Sequence, residues 1–254
     1  MIINRLLPYF TALLVFIGLE ILPTAPQKIY YIFGFFVLII FLAVWRLIGF
    51  REIRKIGRWN FLVTPILFIL GGGLILVFVE DTIYRQILFF GIPLLLGFYL
   101  EALFVYIYEH ENYRQGVLEN LFSVINLAAF YFLFSGIYGL KIFIGLPAWS
   151  EILIALPFIV LLVYENFWIN KMVLARAKSF LAVNALLLFE LFLAIEYLPS
   201  GFYVKGLILS AGFYLLTGLS LDYHNEKVEK WAIVRYSVIV AVSLAAVMLT
   251  AQWI

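Results

Sequence analysis

The sequence predicts an all-α, polytopic integral membrane protein of about nine transmembrane helices, and three observations carry that reading. Of its 254 residues, 66% are hydrophobic and 13% charged, with a mean hydropathy of +1.09. A soluble domain is about half apolar and about a quarter charged, so this chain lacks the polar side chains to cover a globular surface. Its apolar residues fall into runs near the roughly 20 residues needed to cross a hydrocarbon core of about 30 Å. The Lys and Arg residues, finally, sort into alternate loops, as they do when basic segments are retained on the cytoplasmic side.

The nine segments follow in order. The first, 6–22, has Arg5 before an apolar run, the layout of a secretory signal. The following Pro23-Thr24-Ala25-Pro26 lacks a small-x-small cleavage site, so the segment is read as retained. The second, 30–50, opens on Tyr30 and Tyr31 and carries Trp45 near its far end, where amphipathic rings favour the headgroup region. Next comes a stretch of basic residues interleaved with apolar ones, Phe50-Arg51-Glu52-Ile53-Arg54-Lys55-Ile56-Gly57-Arg58-Trp59. It reads as an inner-side topology signal lying along the interface beside anionic lipid.

The third segment, 61–79, contains Pro65 and the run Gly71-Gly72-Gly73, and the fourth, 86–108, contains Pro93 and Glu101. These breakers either free backbone carbonyls for an ion or let helices pack closely, and packing is the commoner use. The fifth segment is 118–140, the sixth 148–164 with Pro157, the seventh 179–197, and the eighth 202–221. The ninth, 231–253, lies against the C-terminus and is the one on which the count turns. Short loops leave no room for a soluble domain, so residues 1–254 are read as a single membrane-embedded domain.

Placing the N-terminus inside puts thirteen of the seventeen basic residues on the cytoplasmic side, leaving Lys28, Arg85, Lys141 and Lys205 outside. The topology is therefore N-in and C-out in a plasma (inner) membrane of prokaryotic type. The segments also pair into hairpins of about 60 residues, with Ser123-Val124-Ile125-Asn126 and Leu181-Ala182-Val183-Asn184 opening two of them. Gly97-Phe98-Tyr99-Leu100 matches Gly212-Phe213-Tyr214-Leu215. Such repeats would be parallel, because each hairpin begins and ends on the same side.

Function is less legible. A formal net charge of +2 gives no reason to invoke nucleic acid, and membrane lipids are the expected partners. The absence of cysteine excludes disulfides, thiolate metal sites and cysteine nucleophiles. No Walker loop, GxSxG, HExxH or GxGxxG occurs. Charged groups in hydrocarbon are costly, so those unable to reach an interface are the first functional candidates. Glu20, Arg46, Glu119, Glu151, Lys205 and Arg235 lie within about two turns of a segment end and are expected to snorkel. Glu101 and Glu190 lie deeper, about 10 and 15 Å at 1.5 Å per residue. They are the predicted buried carboxylates, with Asn126, Asn184, Tyr99, Tyr106, Ser210 and Thr217 as candidate polar partners. They form either a structural hydrogen-bonded set or a proton or cation site.

A second constellation falls on the cytoplasmic face. Glu109, His110 and Glu111, with Asp222, His224 and Glu226, surround both histidines of the chain, and Glu165 is expected to emerge nearby. Carboxylate and imidazole ligands could hold a divalent cation that neutralises a lipid phosphate. If helical, Asp222 and Glu226 share a face while His224 turns away, so this geometry is only partly favourable. No other cofactor is evident. The leading reading is a non-enzymatic membrane protein, either carrier-like or structural, with buried carboxylates. The alternative is a metal-dependent lipid-modifying enzyme with its polar site at the inner face.

Overall fold

The computed structural model describes residues 2–24, 26–49, 58–109, 113–114, 116–172 and 174–224, together with 234, 236–238, 241 and 245. Eight helices account for nearly all of them: α1 (Ile2–Thr24), α2 (Ile29–Ile48), α3 (Arg58–Phe78), α4 (Thr82–Tyr108), α5 (Val117–Ile144), α6 (Ala148–Ile169), α7 (Leu174–Glu196) and α8 (Phe202–His224). Each contains a stretch long and apolar enough to span a bilayer. The chain is an all-helical polytopic membrane protein, and the first eight predicted segments each coincide with one helix. The ninth lies largely outside the described residues, of which 234, 236–238, 241 and 245 are helical.

Where helix ends differ from the predicted segments, local chemistry accounts for the difference. α4 begins four residues early because the Asp81 carboxylate accepts from the backbone N–H groups of Ile83 and Tyr84, at 2.8 and 3.1 Å. α5 runs past Lys141 and stops where Gly145, at φ 70°, turns the backbone left-handed and donates to the Lys141 carbonyl. α6 continues through Glu165 and Asn166, both buried, rather than ending at Tyr164. Its end is a Schellman turn, in which Met172 N–H donates to the Phe167 carbonyl and Lys171 N–H to that of Trp168. Lys171 holds the left-handed position at φ 57°.

The chain divides into two compact units, residues 1–129 and 130–254, with the boundary inside α5. In the first, α1 packs most extensively on α4, and α2 on α3 and α1. The triglycine does not interrupt α3. A Cβ on Gly72 would stand 2.6 Å from Ile92 Cδ1, and one on Gly73 would stand 2.7 Å from Phe33. These glycines serve close packing, the commoner role of small residues between membrane helices. In the second unit α7 packs on both α6 and α8, and aromatic rings fill the core. Phe130 stacks on Phe213 at 4.3 Å and Tyr138 on Phe192 at 5.0 Å, so α5 contributes bulky rings to its neighbours.

Candidate functional site

Among the described residues a cluster of four charges lies in the second unit, where the α5–α6 and α7–α8 turns meet one end of the helices. Each of the four helices supplies one charge: Lys141 from the last turn of α5, Glu151 from the first turn of α6, Glu196 as the last residue of α7, and Lys205 from the start of α8. Lys141 Nζ lies 3.1 Å from Glu151 Oε2 and also pairs with Glu196 Oε1. Lys205 Nζ donates to the Glu196 carbonyl at 2.9 Å, capping an acceptor that the end of α7 would leave without an intrahelical donor. It also stands 5.9 Å from the centre of the Tyr138 ring, while the Tyr138 hydroxyl donates to the Phe192 carbonyl at 2.9 Å.

The quartet is formally neutral, and its members differ in access to their surroundings. Glu151 has 0% of its surface exposed, and Lys205 has 9%. Lys141 and Glu151 suit their helix termini, a base at the C-terminal end of α5 and an acid at the N-terminal end of α6. Glu151 Oε1 is buried and has no hydrogen-bond partner, whereas Oε2 holds Lys141. A fully buried carboxylate with one anchored and one unengaged oxygen can accept a proton or a small cation on the second. Lys141, touching carboxylates on two helices, can shift its weight between them.

Further polar groups line the same unit. On α8 the hydroxyls of Ser210, Thr217 and Ser220 donate to carbonyls four residues back, at 2.7, 2.7 and 2.8 Å. Asn184 Nδ2 donates to Ser220 Oγ at 2.8 Å and to the Phe180 carbonyl at 2.7 Å. Glu165, expected at the solvated face, is instead 1% exposed, with Oε2 buried and without a partner. Burial follows from the continuation of α6 past it.

The two carboxylates singled out from the sequence have different fates. Glu101 is half-buried on α4 in the first unit, where it takes a hydrogen bond from Tyr9 and feels the charges of Arg5 and Glu109. The Tyr99 hydroxyl donates to the Phe61 carbonyl at 2.8 Å, and Tyr106 packs edge-on against Tyr113. Asn126 is fully buried on α5 in the same unit. Glu190 is not buried in the protein. It lies on the exposed face of α7, because the buried positions Asn184, Ala185, Leu188 and Phe192 occupy the opposite side of the helix.

Of the metal-ligand candidates, Glu109 follows the end of α4, while Asp222 and His224 occupy the last turn of α8. His110, Glu111 and Glu226 lie outside the described residues. Among the described residues no three His, Asp or Glu side chains come together as a metal-binding group.

Sequence reasoning missed the quartet because it took Glu151 and Lys205 separately as residues close enough to an interface to escape, counted Lys141 only toward the topology, and did not single out Glu196. The signal lay in the pairing. Each of two short turns is flanked by one acid and one base, Lys141 with Glu151 across ten residues and Glu196 with Lys205 across nine. Opposite charges at the ends of antiparallel neighbours are placed to meet.

No curated protein and no solved structure matches the chain. Residues 43–250, which include the whole quartet, match the family described as "Protein of unknown function (DUF5656)", and the chain belongs to that family.

Proposed function

We propose that this is a non-enzymatic, carrier-like protein of the plasma (inner) membrane whose second unit passes a proton or small cation. One observation carries the reading: Glu151, without exposed surface, keeps one oxygen on Lys141 and the other unengaged. Ionisable groups inside membrane helices are costly and are characteristically parts of ion or proton paths. Uptake of a proton on Glu151 would weaken its hold on Lys141 and leave that lysine to Glu196, changing which helices are tied together. Buried oxygens without partners at Glu165 and Asn184 lend further acceptors to the same unit. The strong asymmetry of basic loops supports the membrane assignment.

The test is flux in liposomes containing the purified full chain and a pH-sensitive dye. Glu151→Gln keeps size and hydrogen-bonding capacity but cannot take up a proton, and it should abolish ion-coupled flux while its melting temperature shows that the fold persists. Wild-type flux in that variant would remove Glu151 from the path.

A further inference from the structure

At the other end of the second unit, α6 and α7 enclose a groove of about 430 Å³. Its walls are Tyr164, Phe167 and Trp168 from the last turns of α6 and Leu181 from α7, and its rim carries Lys171 and Lys178. The groove is therefore apolar within and basic at its mouth, and among the described residues no carboxylate lines it. Lys171 is held at the left-handed position of the Schellman turn by the backbone bonds described above. Lys178 lies in the early turns of α7 and is exposed. The two lysines thus come from separate elements but face one opening.

We propose that this groove seats one anionic phospholipid, its phosphate between Lys171 and Lys178 and its acyl chain along Tyr164 and Leu181. Two cations over an apolar slot complement a negative headgroup joined to a hydrocarbon tail, and basic pockets between membrane helices are recognised headgroup sites. Trp168 and Tyr164 suit the same depth, since amphipathic rings favour the headgroup level. The occupant is a lipid rather than free phosphate because most of the lining is apolar and would gain nothing from a small hydrated anion.

The experiment uses the full chain in mild detergent, with bound lipid counted by native mass spectrometry. Dioleoyl phosphatidylglycerol should bind once and tightly, dioleoyl phosphatidylcholine markedly less, and inorganic phosphate should not displace the anionic lipid at matched concentration. A lysine near an anionic surface contributes about a fivefold gain in affinity, so Lys171→Gln with Lys178→Gln should weaken binding about 30-fold. The Lys171→Arg, Lys178→Arg protein should retain it, and Lys28→Gln, a basic residue in the first unit, should leave it unchanged. Equal binding of both lipids, displacement by inorganic phosphate, or full affinity in the double glutamine variant would each overturn the proposal.

Discussion

Gly206 offers the sharpest test of the packing that holds the charge quartet. It is next to Lys205 and faces α5, where a Cβ would overlap Ser135 Oγ and stand 2.9 Å from Ser135 Cβ and 3.0 Å from Ser135 Cα. Ordinary carbon contacts lie at about 3.5–4.0 Å, so Gly206→Ala requires the two helices to separate by roughly half an ångström even if the serine hydroxyl swings aside. Overpacking costs about 1–3 kcal/mol, and with a backbone atom among the crowded partners Gly206→Ala falls in the upper half of that range, about 2–3 kcal/mol. The higher helix propensity of alanine returns about 1 kcal/mol, leaving a net loss of about 1–2 kcal/mol. For a chain of this size that lowers the melting temperature by roughly 2–8 °C. The matched control is Gly34→Ala in α2, where no atom lies within 4 Å of the added methyl, so only the propensity gain remains and the melting temperature should rise. Adding Ser135→Gly to Gly206→Ala removes two of the three close atoms and should recover part of the loss. Tryptophan fluorescence melts in detergent would measure all four proteins. A Gly206→Ala protein that melts with or above the wild type would refute the close approach of α5 and α8.

Two further outcomes follow from other parts of the molecule. The Tyr113 hydroxyl, which donates to Glu119 Oε2 at 2.7 Å, is pushed up to about 12, first by burial and then by that hydrogen bond. A raised tyrosine contributes stability that is complete below its unfolded value of about 10 and is lost as pH rises through about 12. Difference absorbance against Tyr113→Phe should show one phenol ionising near pH 12, and ionisation at pH 10 would contradict the bond. On the exposed face of α7, Glu190→Leu removes a carboxylate whose placement at the centre of a membrane helix costs a few kcal/mol. The variant should melt higher than the wild type, and a lower melting temperature would show that the carboxyl has a partner.

Much of the architecture is legible because the bilayer imposes a single length rule on apolar runs, and all eight described helices obey it. Helix ends were less legible. Asp81, Gly145 and Lys171 set them through backbone bonds that hydropathy does not register. The candidate site was harder still, because depth along a helix was readable but the direction of a side chain was not. Glu190 is deep yet faces outward, whereas Glu151 is close to a helix end yet fully buried. Rotation about a helix axis decides such cases. For α8 the apolar pattern gave little guidance, since its buried face mixes Phe202, Leu209 and Phe213 with Ser210, Thr217 and Ser220.

The electroneutrality of the quartet has a consequence for how the protein meets an energised membrane. Moving one elementary charge across the full potential changes the energy by about 2.3 kcal/mol per 100 mV. Two lysines and two glutamates displaced together carry no net charge, so those contributions cancel. A proton on Glu151 removes that cancellation and leaves the cluster with a single positive charge. The membrane voltage would then act on the protonated cluster and largely ignore the unprotonated one, making electrical sensitivity a property of the loaded state alone.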